Sequence, residues 1–476
     1  MLGNKKKGNK KRGNEVSCNK PLCGNLLRFS MLGLIRALAA TNYVAFTGLL
    51  AALTVGTFDA SIMLKLVHKS ALARNAFPYV EITQSMIAEF PLHHLAGYLI
   101  ITTLTNLFGG FEYTLAWLVY YVLGLPVIFS WIVLFVEGLR EEEVFSEGIK
   151  DLVTGGEPAE ALQSPLSLPL VTRLINPLWT PPDVTIYPNI TYATTEETAQ
   201  IVEETGDFSQ PKLLSLDIYG RTDRDISDRR PVLIHVHGGA WRKGSKNMFK
   251  PHGKVLVQEN NWLYVSIGYR LAPENPYPAH LIDVKRAIRW VKQSISKFGG
   301  DPNFIVLSGD SAGGHLATMA SFTANNPLYQ PGFESFDTSV KGVISFSGAL
   351  DIQATRHHAE FFAHRVAMQK KGEFDQEFLD RHTPTRLIGE AKQNGNLVPF
   401  LLITASRDTL VPSTVGKEFK TIYDKYSPPA TSSASQCSLL NLPTAHHIYY
   451  VGWTPRSIFL SRLVQAWAEQ LYTKKK

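Results

Sequence analysis

Ser311 has the neighbours that nucleophilic chemistry needs. It is the centre of Gly309-Asp310-Ser311-Ala312-Gly313, preceded by the apolar run Phe304-Ile305-Val306-Leu307 and followed by Gly314-His315-Leu316-Ala317-Thr318-Met319-Ala320. An apolar β-branched run, a glycine-bracketed serine and a helix-forming stretch together read as a nucleophile elbow, a sharp strand-to-helix turn with the serine at its tip. The glycines let neighbouring backbone pass close, and the helix that follows points N–H groups and its positive dipole end at the site. The same five-residue pattern also occurs in ordinary turns, so the serine must find partners elsewhere in the chain.

Three segments supply them. His237-Gly238-Gly239-Ala240-Trp241 ends the apolar run Val232-Leu233-Ile234-His235-Val236. Acyl transfer builds negative charge on a carbonyl oxygen, and fixed N–H donors stabilise it. A loop of small residues presents such donors without obstruction: Gly239 and Ala240 are expected to donate, with Gly238 a further donor and Ala312 contributing from the elbow. His237 is expected only to brace the loop. Asp408 ends the run Phe400-Leu401-Leu402-Ile403-Thr404-Ala405-Ser406-Arg407 and is suited to orienting an imidazole and stabilising its protonated form. His446-His447 follows the strand-like Cys437-Ser438-Leu439-Leu440-Asn441-Leu442, and one of the two is the expected general base for Ser311.

The order serine, aspartate, histidine is that of the α/β-hydrolases. From about 231 to 471 the chain resembles the hormone-sensitive-lipase-like carboxylesterases of that fold, and more narrowly the membrane-associated bacterial and fungal esterases of the group. The resemblance is carried by His237 to Trp241, Tyr269-Arg270-Leu271-Ala272-Pro273-Glu274, Asp283-Val284-Lys285-Arg286-Ala287-Ile288, Phe298-Gly299-Gly300-Asp301-Pro302 and Gly309 to Gly314. Leu442-Pro443-Thr444-Ala445-His446-His447-Ile448-Tyr449 is similar to the family's Leu-Pro-Gly-Ala-x-His-x-Phe, which implies His447 as the base. The chain departs from the family at Ala240, where a third glycine is usual, and at Thr444 and Tyr449. The Ala240-Trp241 variant is similar to feruloyl-esterase-like and formamidase-like branches.

These loops need strands to hold them. Strands are expected near 213–219, 232–237, 262–268, 304–308, 343–348, 399–404 and 437–442. Over 279–297, Leu281, Val284, Ile288, Val291 and Ile295 fall three or four apart, the stripe of a helix packed on a sheet, and Gly299-Gly300 stops it. Leu460, Leu463, Trp467 and Leu471 repeat the pattern near 456–472. Such alternation implies an α/β hydrolase with a mostly parallel, doubly wound sheet and helices on both faces, the catalytic residues clustering at the strands' C-terminal ends. An insertion at about 353–394, with His357, His358, Phe361, Phe362, His364 and Phe378, is expected as a lid. His357 and His358 are adjacent and converge poorly on one ion, and His235 with His237 lacks a third ligand, so no metal is expected. The chemistry calls for no cofactor.

The chain has 476 residues and a net charge of +7, of which Lys5, Lys6, Lys7, Lys10, Lys11, Arg12 and Lys20 against Glu15 supply +6, leaving +1 for the rest. A near-neutral body gives no footprint for nucleic acid. Residues 1–30 read as a basic tail. Ala37–Phe58 is uncharged for 22 residues, about 33 Å as helix, enough to span a bilayer. Tyr113–Val136 and the shorter Leu95–Phe111 are also uncharged, so 31–137 is expected as a transmembrane region of two or three helices. Two spans place the catalytic domain in the cytosol and three place it in the lumen. Glu137, Glu141, Glu142 and Glu143 at the last exit, and the acceptor sequence Asn189-Ile190-Thr191, favour three, in the endoplasmic reticulum or another endomembrane. Residues 138–212, rich in proline, are expected as a linker, and 213–472 as the catalytic domain. Cys18, Cys23 and Cys437 provide no disulfide framework.

The expected function is that of a membrane-anchored serine carboxylesterase or lipase-like hydrolase acting on a small-molecule or lipid ester. An amidase or formamidase-like hydrolase on the same fold, and a non-catalytic membrane interaction protein, are the alternatives.

Overall fold

A computed structural model of the chain describes residues 20–59, 71–152, 166, 168–370, 375–427 and 436–473. Most of the basic tail, Cys18, residues 153–165 of the expected linker, 371–374 of the expected lid and the terminal lysines lie outside them. The chain forms two compact units: one gathers residues up to Ala52 with Leu95–Phe129, the other Leu53–His94 with Ser130–Lys476. This division differs from the expected boundary at 137. Residues 53–94 and 130–137 belong with the α/β domain, because polar side chains on them find partners there.

The larger unit is built on one eight-stranded sheet: β1 Val184–Thr191, β2 Ser215–Arg221, β3 Arg230–Val236, β4 Leu263–Ile267, β5 Gly300–Asp310, β6 Gly342–Phe346, β7 Phe400–Ala405 and β8 Cys437–Leu442, in the order β1-β2-β4-β3-β5-β6-β7-β8. β1 and β4 each pair antiparallel with β2, and every other pairing is parallel. The inner strands read as continuous apolar runs because both faces are covered. Side chains alternate between two cores: Val232, Ile234, Val236, Ile305 and Leu307 join the helices Ala279–Ser294, Ala312–Phe322 and Ser413–Tyr426, while Leu233, Phe304, Val306 and Ile344 join Pro251–Asn260 and Pro455–Thr473. The chain leaves β3 for β4 on one side and returns to β5 on the other. That reversal makes the C-terminal ends of β3 and β5 a topological switch point, the place where open α/β sheets bind ligands.

The described part of 138–212 is folded rather than a bare linker. It carries the helices Glu142–Leu152, Leu168–Ile175 and Thr195–Thr205 and the edge strand β1. The helix Thr195–Thr205 opens with a capping box in which Thr194 and Glu197 satisfy each other's backbone N–H groups. Strand β1 escaped the sequence reading because it is mostly exposed and its pairing slips between Tyr187 and Ile190, around Pro188 and Asn189. Proline is tolerated on an edge strand, where its missing N–H faces solvent.

Among the described residues, two helices are long and apolar enough to cross a membrane, Met31–Phe58 and Thr114–Leu152. The third apolar run forms the 17-residue helix Pro91–Leu107, about 26 Å long and short of a hydrocarbon core of about 30 Å. The three-span, lumenal arrangement therefore loses its third crossing. Its charge argument weakens as well: Glu137 and Glu141 are not a free flank but bind Arg407, Thr444 and Arg456 of the α/β domain. In the smaller unit, Tyr43 and Tyr98 share a hydroxyl–hydroxyl bond of 2.8 Å and Arg36 pairs with Glu112 at 2.7 Å.

Candidate active site

Ser311 stands between β5 and the helix Ala312–Phe322 with φ 54° and ψ −117°. Such a backbone costs a non-glycine residue about 1–3 kcal/mol and persists only when its surroundings over-determine it. Here the Ser311 N–H donates to the Phe346 carbonyl at 2.9 Å, and the Ser311 carbonyl accepts from Ala349 N–H at 3.1 Å and His315 N–H at 3.2 Å. A serine at a helix start ordinarily spends its hydroxyl on capping. Ser311 makes no such bond, which leaves Oγ for other chemistry. The bracketing glycines are sterically required: a Cβ on Gly309 would lie 2.2 Å from the Gly313 carbonyl oxygen, and one on Gly313 would lie 2.0 Å from that of Val236.

The loop after β3 turns back through three successive positive φ values, at Gly239, Ala240 and Trp241. Ala240 holds its φ of 54° without being glycine, at a position where a glycine would be unstrained. The loop lies against the elbow, since a Cβ on Gly238 would stand 3.2 Å from Ser311 Cβ. One expectation is corrected. The Gly238 N–H donates to Asp310 Oδ2 at 3.1 Å, so it is already spent. Gly239, Ala240 and Ala312 remain as candidate donors to an oxyanion.

Asp310 is the rivet between loop and elbow. Its Oδ1 accepts from His235 Nε2–H at 2.9 Å and faces Lys250 Nζ at 3.6 Å. Burial works to raise its pKa, but the Lys250 charge and the His235 bond outweigh it and hold the carboxyl well below the usual range. His237 braces the same loop. Its Nδ1–H donates to the Gly238 carbonyl at 2.8 Å, its ring stacks on Tyr269 at 4.3 Å, and burial depresses its pKa to about 4. Trp241 is buried and meets Phe362 edge-on at 5.1 Å.

Asp408 follows β7 as expected. Its Oδ1 accepts from the N–H groups of Leu410 at 3.0 Å and Val411 at 2.8 Å, which freezes the carboxylate. Its Oδ2 accepts from His447 Nδ1–H at 2.7 Å. Burial pushes the His447 pKa down, but the Asp408 charge and bond prevail and the net shift is upward. With Nδ1 donating to Asp408, the His447 lone pair lies on Nε2. His446 behaves differently: Nδ1–H donates to Glu81 Oε1 at 3.2 Å and Nε2–H to the Thr57 carbonyl at 2.9 Å. Both ring nitrogens of His446 are thus bound away from Ser311, whereas His447 keeps Nε2 uncommitted.

Four carboxylates that sequence reasoning did not assign to the site hold these loops from outside. Glu137 forms a two-pronged pair with Arg407 at 2.8 and 3.0 Å. Glu141 accepts from Thr444 N–H at 3.0 Å and from Arg456 Nε at 2.6 Å. Glu89 binds Arg456 and Thr454, and Glu81 binds Thr409 and His446. Acidic residues within or at the ends of largely apolar helices were the available signal, since a buried charge persists only with a partner.

The insertion 353–394 is less detached than a lid. Phe362, Leu379 and Ile388 are buried in the main core, Tyr277 N–H donates to the Val366 carbonyl at 3.0 Å, and the helix Pro384–Gln393 packs beside Ala312–Phe322 and Ser413–Tyr426.

The sheet order, the elbow after β5, and the acid and imidazole loops after β7 and β8 define an α/β-hydrolase domain. It is related to carboxylesterases: residues 216–423 match the BD-FAE family model. The chain is similar to Esterase LipQ of Mycobacterium tuberculosis, 33% identical over 266 residues, covering 55% of this chain and 60% of that protein. It is also similar to Esterase LipC of the same organism, 37% identical over 237 residues, covering 49% and 56%. It thus spans less than two thirds of the length of these curated relatives. Among solved structures, an inhibited esterase B from Lactobacillus rhamnosis is 19% identical with a TM-score of 0.49, covering 64% of this chain and 92% of that one.

Proposed function

We propose that the protein is a serine carboxylesterase anchored in a membrane. Ser311 Oγ attacks an ester carbonyl while His447 Nε2 takes its proton. Asp408 keeps the imidazole in the correct tautomer and stabilises it once charged. Gly239, Ala240 and Ala312 N–H groups receive the oxyanion, the alcohol leaves with the proton from His447, and water cleaves the acyl-enzyme through the same groups. The observation that carries this reading is the Asp408–His447 bond of 2.7 Å in the loops after β7 and β8, combined with an uncapped, strained Ser311 after β5. The relatives named as esterases point the same way.

Membrane anchoring rests on the helices Met31–Phe58 and Thr114–Leu152. Met31, Leu34, Leu38 and Leu49 on the first, and Leu118, Val122 and Phe129 on the second, are exposed large apolar side chains that water would not tolerate in such number. An enzyme held there meets lipophilic esters, which makes them the proposed substrate class. Retention in the membrane pellet after alkaline extraction tests the anchor.

The test of the chemistry is fluorophosphonate labelling of wild type, Ser311→Ala and His447→Ala, together with turnover on matched ester and amide substrates. Labelling and ester turnover of wild type alone are expected. Equal labelling of all three overturns the triad, and faster amide turnover moves the enzyme to the amidase class.

A further inference from the structure

Glu81 lies on the helix Ala71–Glu89, more than 300 residues before the loops that carry the acid and the base. Its side chain is 1% exposed. Its two oxygens go to two different loops. Oε2 accepts from Thr409 Oγ1, immediately after Asp408, and Oε1 accepts from His446 Nδ1–H, immediately before His447, at 3.2 Å. No other carboxylate among the described residues touches the direct neighbours of both Asp408 and His447. The two loops share a backbone bond as well, from Arg407 N–H to the Ala445 carbonyl at 3.0 Å. That bond links the loops through the backbone, and Glu81 adds a link through side chains.

We infer that Glu81 is a positioning residue for the proposed esterase reaction, clamping the Asp408 loop to the His447 loop from the N-terminal helices. This rests on the reading of Asp408 and His447 as catalytic. The chemistry suits a carboxylate. It offers two acceptor oxygens to two partners. A glutamine in its place keeps one acceptor and turns an amide N–H to the other partner, so His446 Nδ1 would have to accept where it now donates. His446 completes the clamp by donating its second N–H to the Thr57 carbonyl at the end of the helix Lys20–Phe58. Burial raises the Glu81 pKa, but the bonds and charges of His446, Thr409 and His447 outweigh it and favour the ionised form. These groups face Glu81 from both loops. The consequence is that the N-terminal helices are part of the catalytic apparatus as well as an anchor.

The test uses the full chain in detergent or vesicles. Glu81→Gln is expected to lower kcat about ten-fold or more while KM stays within about two-fold, because a small displacement of catalytic groups costs turnover rather than binding. In a His447→Ala background the same substitution is expected to change the residual kcat by less than about two-fold, since the group it positions is gone. Thr409→Val removes only one of the two links and is expected to lower kcat about three-fold or more, again with KM held. It serves where Glu81→Gln accumulates poorly. A Glu81→Gln enzyme with kcat within two-fold of wild type overturns the inference, as does an equal further loss in the His447→Ala background. Esterase turnover that survives Ser311→Ala instead overturns the proposed function, an outcome separate from either.

Discussion

His447 Nδ1 stands 2.7 Å from Asp408 Oδ2, and through that bond the two loops after β7 and β8 become one chemical unit. Its neighbour His446 is turned the other way, with both ring nitrogens committed to Glu81 and Thr57. The two adjacent imidazoles thus serve different ends.

His447→Ala is therefore expected to lower ester turnover by about 10⁴-fold, as loss of a triad imidazole does elsewhere. His446→Ala, which releases only an outer brace, is expected to cost about ten-fold or less. Side-by-side kcat measurements and fluorophosphonate labelling decide this. Equal losses from the two substitutions would contradict the assignment.

The upward shift of the His447 pKa sets the acid limb of the pH profile. The imidazole must be neutral to accept the serine proton. Activity is lost as pH falls through the shifted pKa, so the limb of kcat/KM should lie above an ordinary imidazole value of about 6.5. Asp408→Asn removes the charge that raises it, and the limb should then move to lower pH along with a large drop in kcat. A limb that stays in place in Asp408→Asn argues against Asp408 as the cause.

Asp310→Asn keeps a similar shape but strands the Lys250 charge, which is 4% exposed. A cost of about 3 kcal/mol is expected, measured by denaturant unfolding. The pKa of this carboxyl is lower in the folded chain than in the unfolded one. Its contribution is therefore present above the ordinary aspartate range and is lost as acid carries the pH down towards the folded value. The variant's stability should fall less than wild type's as the pH drops below about 4.

Arg456 is buried between Glu89 and Glu141. Replacing it by methionine leaves two buried carboxylates without their cation, at an expected cost of about 3–5 kcal/mol. Thermal unfolding of the detergent-solubilised protein reads this directly. An unchanged melting temperature would show that water reaches the pair.

Much of the catalytic half was legible in the chain. The strands β3 to β7 are largely apolar runs buried on both faces, the glycines around Ser311 are imposed by backbone contacts near 2 Å, and Asp408 and His447 each follow a strand by a few residues. These features are local or repeat with a fixed period, so order along the chain expresses them. Strand β1 was hidden because an exposed edge strand with a bulge has no apolar alternation to read. Gly238 looked like an oxyanion donor until its N–H was seen to be taken by Asp310, 72 residues away.

The amino-acid order by itself determined strands β2 to β8, the elbow and the candidate site residues, because each follows from short-range pattern and steric necessity. Only the tertiary structure decided which of two adjacent histidines faces Asp408, and what Glu81, Glu89, Glu137 and Glu141 are for. A buried charge is defined by its partner, and here the partners lie 270 to 367 residues away along the chain.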